Sequence, residues 1–338
     1  MSADLSRLVD LIDAFSRQTI VVFGDLVADE FVFGEISRVS REAPVLILRH
    51  RDTQLVPGGG ANAANNLADL GAKVLPVGVV GDDDAGQALV DYFRKKRVRT
   101  SGIIRVRGWT TPRKTRYLAG FAHTARQQVL RVDHEPELGA LPAKVRAALL
   151  KKARGLAQRA SATLVSDYGF GSASPAAVRA LGAKLVLLDS RFALLEYKGA
   201  GITAATPNEP EMEALHHARI GTDLKRLEAL GSRTLRAMKL QALLVTRGKD
   251  GMALFMRGRQ PVHIPVYGTD QALDVTGAGD TVIATFTLAL AAGGTFTEAA
   301  HLANYAGGIV VMKRGTATVT REELVRAIQA DLSGTSTK

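Results

Sequence analysis

Short apolar runs alternate with helix-period patterns along most of the chain. The first helical pattern, 5–15, places its apolar residues on one stripe, and the apolar run 20–23 follows it. Apolar runs that alternate with helices indicate a mostly parallel sheet covered by helices on both faces. The other apolar runs are 74–80, 163–166, 185–189 and 243–246, and the other helical patterns are 62–70, 85–96, 143–157, 175–181 and 224–239.

Two stretches, about 30–56 and 103–133, depart from this alternation. Both are rich in β-forming residues, and polar residues alternate through them without leaving an apolar helical face. This pattern predicts strands. Long structureless loops are uncommon in compact domains, so we predict a small second sheet inserted into the main domain, usable as a lid. The domain is predicted to span 1–332, with a disordered polar tail at 333–338. Its last helical patterns are 281–292, 296–312 and 322–332.

The charge of the chain favours anionic ligands. Among 338 residues, 44 Lys and Arg outnumber 33 Asp and Glu, giving a formal charge of +11. Aromatic residues make up only 5% and the basic residues are scattered, so we predict small anionic ligands and no nucleic-acid partner. The absence of cysteine excludes a disulfide scaffold, a thiolate zinc site and a cysteine nucleophile.

Targeting signals are not evident in the sequence. The first 19 residues lack the apolar core of a signal peptide. The longest uncharged stretch, between Asp280 and Glu298, contains several Thr and a Gly pair, which favours a core helix over a membrane span. We therefore predict a cytoplasmic protein with no membrane partner.

The segment 274–281, Asp-Val-Thr-Gly-Ala-Gly-Asp-Thr, joins a polar turn to an apolar helix. Gly277 and Gly279 let the backbone approach a ligand, and the unpaired N–H groups of a first helical turn attract anions. Phosphoryl transfer requires a positioned base beside such fixed dipoles. We predict Asp280 as the general base, with the N–H groups of Ala278, Gly279 and Asp280 holding the phosphoryl group. A helix cap and a tight turn are the alternative for the glycines alone.

A second glycine segment occupies 57–71. Three glycines open a helix rich in Asn and Ala, and no Lys-Ser/Thr or Gly-x-Gly-x-x-Gly spacing follows. A Walker A loop and a dinucleotide fold are therefore disfavoured. Asn62 offers a donor and an acceptor to sugar hydroxyls, so Gly59, Gly60 and Asn62 are predicted to bind a sugar. A glycine turn before a packed helix would explain this segment if it stood alone.

Together, these two segments resemble the two signatures of the ribokinase-like (PfkB) sugar kinase family, and the similarity extends from about residue 20 to residue 319. The resemblance implies a three-layer α/β/α sandwich with a mostly parallel central sheet and a small inserted β-sheet lid. It also implies phosphoryl transfer from ATP to a sugar hydroxyl. In the family, an aspartate at the end of the first strand, here Asp25, holds sugar hydroxyls.

The same resemblance implies the nucleotide and metal ligands. Asn208 and Glu211 match the family's Asn-x-x-Glu, which supports Mg²⁺ through water. Asp274 and Thr276 match residues that bind a monovalent cation such as potassium in some relatives. The residues implied to line the nucleotide are Asn208, Glu211, Thr246, Arg247, Gly248, Gly251, Thr276 and Asn304.

Within the family, the lid motifs are similar to those of kinases of D-glycero-D-manno-heptose 7-phosphate. Segments 37–45 and 127–133 carry this likeness and imply a homodimer through the lid strands. The implied reaction phosphorylates the anomeric hydroxyl and gives the 1,7-bisphosphate. The nucleotidyltransferase often fused to such kinases carries His-x-Gly-His, which this sequence lacks, so a stand-alone kinase is predicted. The sugar contacts implied are Arg38, Gln128, Arg131, Asp167 and Arg191.

Two positions depart from the subfamily pattern. Phe170 and Arg191 stand where the subfamily has lysines. Arg191 can still bind a phosphate, but Phe170 cannot. The candidates to replace the lost charge are Lys114, Arg116, Arg126 and Arg131. Two alternatives therefore stay open, a kinase for another sugar, sugar phosphate or nucleoside, and a non-catalytic nucleotide- or sugar-binding protein.

Overall fold

The predicted apolar runs lie on strands, and the predicted helical patterns lie on helices. The computed structural model describes residues 4–121, 126–137, 141–268 and 272–334. Its strands are β1 (Thr19–Gly24), β2 (Leu26–Val39), β3 (Leu46–Gly59), β4 (Lys73–Val77), β5 (Val79–Gly81), β6 (Ile104–Val106), β7 (Arg113–Gly120), β8 (Gln127–His134), β9 (Ala162–Asp167), β10 (Val186–Ser190), β11 (Ala204–Ala205), β12 (Ala242–Thr246), β13 (Met252–Met256) and β14 (Val262–Ile264). Its helices are α1 (Leu5–Asp13), α2 (Gly60–Asp69), α3 (Asp84–Lys95), α4 (Ala143–Ala157), α5 (Pro175–Arg179), α6 (Glu209–His216), α7 (Leu224–Met238), α8 (Ala278–Ala291), α9 (Phe296–Val310) and α10 (Arg321–Leu332).

The central sheet has the strand order β14-β13-β12-β11-β10-β9-β1-β4. Pairing is parallel from β4 to β12, and β13 and β14 add an antiparallel edge. The sequence of β1 is almost wholly apolar because both faces of the strand are buried. Ile20 and Val22 pack into one core, while Val21 and Phe23 pack into the other. The predicted three-layer α/β/α fold is confirmed.

Each face of the central sheet has its own helix layer. Side chains of α1, α2, α3, α8, α9 and α10 fill one core, and those of α4, α5 and α7 fill the other. Helix α8 is buried from Asp280 to Ala289, as expected of a core helix. Within the described ranges, no helix is both long enough and apolar enough to cross a bilayer.

A separate four-stranded sheet, which we call the lid, has the order β3-β2-β7-β8. It confirms the predicted small second sheet. The stretch 103–133 contributes less to the lid than its composition suggested, because β6 pairs with β5 outside it. Residues 122–125 of that stretch, and 335–338 of the predicted tail, lie outside the described residues. The lid begins one residue after β1, so its base lies beside the end of the central sheet.

Candidate active site

The first turn of α8, which the sequence predicts as the anion-binding turn, packs against α2. Gly277 precedes the helix with φ of 78°, and a Cβ at this position would lie 2.5 Å from Nδ2 of Asn62. Among the described residues, the N–H groups of Gly279 and Asp280 donate to no backbone carbonyl. The N–H of Ala278 donates to the carbonyl three residues earlier at 3.2 Å. Two of the three predicted donors are therefore open to an anion.

The carboxylate of Asp280 is buried and held at both oxygens. Its Oδ2 accepts a hydrogen bond from Nδ2 of Asn62 at 2.9 Å, and its Oδ1 accepts one from the Tyr168 hydroxyl at 2.9 Å. Burial raises the pKa of Asp280 to about 6, although both hydrogen bonds act to lower it. Such a group is largely ionised at neutral pH and is poised to accept a proton.

A polar network fixes this carboxylate between two helices. Nδ2 of Asn66 donates to Oδ1 of Asn62 at 3.2 Å, and the Thr281 hydroxyl donates to Oδ1 of Asn66 at 2.9 Å. Asn62 therefore orients Asp280 in this structure, and its predicted contact with the sugar stays a prediction. The sequence analysis did not predict the hydrogen bond between Tyr168 and Asp280. The only local signal was the position of Tyr168 just after an apolar run.

Asp25 holds a backbone turn. Its Oδ2 accepts the N–H groups of Tyr168 and Phe170 at 2.9 and 3.0 Å, and its Oδ1 accepts that of Ser172 at 3.0 Å. Only 1% of Asp25 is exposed, and burial raises its pKa to about 6. Both oxygens of Asp25 serve the 168–172 turn, and the prediction that Asp25 also holds sugar hydroxyls stays a prediction.

Asp29 is the carboxylate that sequence reasoning missed. Its Oδ1 accepts a hydrogen bond from Arg116 at 2.6 Å, its Oδ2 accepts one from the Thr316 hydroxyl at 3.1 Å, and its charge acts on Asp280. A Cβ on Gly58 would lie 2.7 Å from Oδ2 of Asp29. The only signal in the sequence was an Asp inside the β-rich stretch. The structure places it near the start of the lid strand β2, where its charge acts on the predicted base.

The glycines before α2 make room at the same place. Gly59 has φ of 52°, and a Cβ there would lie 3.0 Å from the Tyr168 ring. A Cβ on Gly60 would lie 2.7 Å from the carbonyl oxygen of Asp25. These glycines therefore permit close packing around the turn. Their contact with a sugar stays a prediction.

Further carboxylates follow strands β9 and β10 and begin α6. Asp167 accepts hydrogen bonds from Tyr197 at 2.8 Å and Ser190 at 3.2 Å, so it serves the structure rather than an open pocket. Asp189 has no such partner among the described residues. Burial raises its pKa well above the usual range, and the charges of Asp280 and Glu211 raise it further. Asp189 is thus the carboxylate of this group that most needs a cation.

Asn208 and Glu211 begin α6 as a capping box. Oδ1 of Asn208 accepts the N–H of Glu211 at 2.8 Å, and Oε2 of Glu211 accepts the N–H of Asn208 at 2.9 Å. Oε1 of Glu211 accepts no hydrogen bond within the described part of the chain. The box therefore fixes Glu211 with one oxygen available for a metal-bound water.

A cavity of about 170 Å³ adjoins the anion-binding turn. Arg247 does not line it, because its guanidinium donates to Glu209 at 2.7 Å and is only 7% exposed. Thr276 does not line it either. Predicted nucleotide residues that do line it are Thr246, Gly248, Gly251 and Asn304, joined by Ala278 and Gly279.

Asp274 ties two loops together. Its Oδ1 accepts the N–H of Thr276 at 2.9 Å, and its Oδ2 accepts that of Gly315 at 2.9 Å. Both oxygens are thus occupied by backbone groups. A monovalent cation at Asp274 and Thr276 stays a prediction.

The lid brings some predicted sugar contacts near the site and not others. Arg38 pairs with Ile47 near the far end of β2, nine residues beyond Asp29, which is roughly 30 Å along an extended strand. Gln128 is exposed and pairs with Leu118 in the outer half of β7. The structure does not bring these two to Asp280 in one chain. Arg131 pairs with Arg116 at the base of the lid.

These features define a class of protein. A buried carboxylate beside open N–H groups, a neighbouring cavity and a lid are the parts of a phosphoryl-transferring enzyme. Residues 17–323 match the pfkB family of carbohydrate kinases, and the chain belongs to that family, whose members transfer a phosphoryl group to a sugar hydroxyl.

Curated relatives and a solved structure agree with this assignment. The chain is 37% identical over 325 residues to Bifunctional protein HldE of Desulfatibacillum aliphaticivorans and 39% identical over 315 residues to that of Geobacter sulfurreducens. The matches cover 94% and 91% of this chain but 64% and 62% of those proteins. Arabidopsis thaliana ribokinase complexed with ribose and ATP has a TM-score of 0.73 at 21% identity, covering 92% of this chain and 99% of that one. The last likeness concerns the fold alone.

Proposed function

We propose that the chain transfers the γ-phosphoryl group of ATP to the anomeric hydroxyl of D-glycero-D-manno-heptose 7-phosphate. The observation that carries the proposal is the buried Asp280 carboxylate beside the open N–H groups of Gly279 and Asp280. Similarity to proteins named HldE, together with the lid motifs, supports the heptose phosphate as acceptor.

In the proposed reaction, Asp280 accepts the proton of the anomeric hydroxyl. The hydroxyl oxygen then bonds to the γ-phosphorus as the bond from that phosphorus to the bridging oxygen breaks, releasing ADP. The open N–H groups stabilise the charge on the phosphoryl oxygens. Asp29, held by Arg116 and Thr316, is positioned to accept hydrogen bonds from sugar hydroxyls and so to orient the ring.

Magnesium fits the carboxylates at this site. Asp189 and Glu211 present hard oxygen donors, and the repulsion that raises the pKa of Asp189 would be relieved by a cation. In the described ranges, no group of three or more acidic, His or Cys side chains is arranged to hold a metal directly. Asp189 and Glu211 are therefore proposed to hold Mg²⁺ through water. When bound, the ion would neutralise charge on the ATP phosphates.

A second candidate is a kinase for another sugar, sugar phosphate or nucleoside. Phe170 favours it, since this side chain packs against the apolar core and presents no charge where the subfamily has lysine. The two candidates share Asp280 and differ only in the acceptor.

An ADP-release assay with ATP and magnesium separates these candidates. We expect turnover with heptose 7-phosphate to exceed that with sedoheptulose 7-phosphate, fructose 6-phosphate, ribose and adenosine. Turnover of only another acceptor would reject the heptose phosphate and keep the kinase. If no acceptor releases ADP although ATP binds, two readings remain, a kinase for a sugar outside this panel and a nucleotide-binding protein without turnover.

The pH dependence of kcat/KM should report the ionisation of Asp280. Because the base must be ionised, we expect activity to fall below an apparent pKa of about 6. In Tyr168→Phe, the carboxylate loses a hydrogen bond that favours its charged form, so the acid limb should move to higher pH. Tyr92→Phe, on the outer helix α3, is the control and should leave the limb in place. An unshifted limb in Tyr168→Phe would contradict this assignment of the base.

We also propose that two copies associate through their lids. The lid leaves several apolar side chains exposed, which favours burial against another apolar surface. These exposed side chains include Val39, Val45, Leu46, Val129, Leu130 and Val132.

A further inference from the structure

Several basic side chains surround the base of the lid, and most already have an anionic partner. Arg116 binds Asp29 at 2.6 Å. Arg131 makes two hydrogen bonds with Asp133, at 2.7 and 2.5 Å. Arg126 instead lies over the Phe33 ring, 5.4 Å from its centroid and further out along the lid. These three arginines are therefore occupied or distant from Asp280.

Lys114 and Arg191 differ from the other cations. Within the described part of the chain, neither side chain makes an ion pair or a hydrogen bond. The Lys114 ammonium lies 4.8 Å from the centroid of the Tyr168 ring, and the Arg191 guanidinium lies 5.2 Å from that of Phe192. Lys114 is also half-buried, which costs the cation part of its solvation. The charges of Asp29 and Asp280 offset part of that cost without an ion pair, and an anionic ligand in contact with Lys114 would offset more of it.

The two cations lie beside the same turn after β9. The N–H of Arg191 donates to the carbonyl of Asp167 at 3.2 Å, one residue before Tyr168, and the Lys114 ammonium lies over the Tyr168 ring. Burial lowers the pKa of Lys114, the charge of Asp29 raises it, and the charge of Arg191 lowers it.

The position of Lys114 relative to the predicted base, Asp280, matters most. The hydroxyl of Tyr168 binds Asp280, and the ring of Tyr168 lies beneath Lys114. One aromatic ring thus separates Lys114 from the carboxylate that accepts the proton. A sugar whose reacting hydroxyl meets Asp280 can extend a phosphate at its other end along this ring.

We infer that Lys114 and Arg191 together bind the phosphate of a phosphorylated sugar acceptor. This inference rests on the proposed function and names the side chains that select a sugar phosphate over a free sugar. Lys114 supplies the charge that Phe170 lacks, from the lid rather than from the 168–172 turn. Arg191 supplies a planar group that can contact two phosphate oxygens.

The test compares an acceptor with and without its phosphate. Wild type, Lys114→Gln and Arg191→Gln would be assayed with heptose 7-phosphate and with the same heptose lacking the phosphate. Each variant should raise KM for heptose 7-phosphate roughly 10- to 100-fold, as expected for loss of a charge-assisted contact. The fall in kcat/KM should be roughly tenfold or more smaller for the free heptose than for heptose 7-phosphate, and Lys114→Arg should recover much of the lost affinity.

The control is Lys151→Gln, which removes the same charge from the exposed face of α4 and should change neither KM. Equal losses of kcat/KM with both acceptors would overturn the inference. A rise in KM for ATP alone would also overturn it, because it would assign the two cations to the nucleotide. If wild type does not turn over heptose 7-phosphate, the proposed function fails, and the same variants are tested on whichever sugar phosphate is active. If only a sugar without a phosphate is active, the inference is overturned as well.

Discussion

Asp280→Asn should lower kcat by about 10²- to 10⁴-fold while the chain stays folded. The amide cannot accept the proton of the attacking hydroxyl, but it keeps the shape of the carboxylate. Its oxygen can still accept from Asn62, and its NH₂ group can donate to the Tyr168 hydroxyl. Because burial disfavours the ionised form of Asp280, removing the charge should leave the thermal midpoint unchanged or raise it.

The measurement is kcat at saturating ATP and sugar together with thermal unfolding of the same samples. Asp10→Asn, an identical change on the exposed face of α1, is the matched control and should keep wild-type turnover. Near-wild-type turnover of Asp280→Asn would remove the proposed base. Loss of turnover accompanied by unfolding would require Asp280→Glu to separate the two effects.

Asp25 and Asp29 should respond in opposite ways to the same substitution. In the wild type, three backbone N–H groups donate to the two oxygens of Asp25. Asp25→Asn replaces one of these oxygens with an NH₂ group that cannot accept, so it should lower the unfolding free energy by about 2–5 kcal/mol. Asp29→Asn keeps one oxygen for Arg116, and its NH₂ group can donate to the Thr316 hydroxyl. It leaves Arg116 without its counter-ion but sets no donor against another donor, so it should destabilise less than Asp25→Asn. It should instead raise KM for the sugar at least roughly 10-fold, because a charged acceptor is lost.

Denaturant unfolding and steady-state kinetics on the two variants measure these effects. If Asp25→Asn mainly lowers the unfolding free energy and Asp29→Asn mainly raises KM for the sugar, then Asp25 serves the 168–172 turn and Asp29 faces the sugar. The reverse pattern, a stable Asp25→Asn with a weakened sugar affinity, would restore Asp25 as the sugar ligand and contradict the assignment made from the hydrogen bonds.

Much of the fold was predictable because its signal is local. The apolar runs predicted five of the eight strands of the central sheet, since a strand buried on both faces is apolar throughout. Strands β11, β13 and β14 were not predicted. The Gly277–Asp280 turn was equally clear, because glycines before an apolar helix leave N–H groups open. Asn208 and Glu211 were singled out by the family resemblance alone, and the structure joins them as a capping box.

The partners of each carboxylate were not predictable from the sequence. Asp25 and Asp29 are four residues apart and chemically identical, and only tertiary packing directs one to the 168–172 turn and the other to Arg116. Arg247 follows a strand beside the cavity, yet its guanidinium turns toward Glu209. Tyr168 meets Asp280 across 112 positions of sequence, a contact that no local pattern encodes.

The central claim is that Asp280 directs a phosphoryl group from ATP to a sugar phosphate. Phosphorus NMR of a reaction containing ATP, magnesium and heptose 7-phosphate tests it most directly. With wild type, we predict one new anomeric phosphate signal in step with ADP, and no such signal with Asp280→Asn over the same time. ADP formed without a phosphorylated sugar, or an anomeric phosphate formed equally fast by Asp280→Asn, would contradict the account.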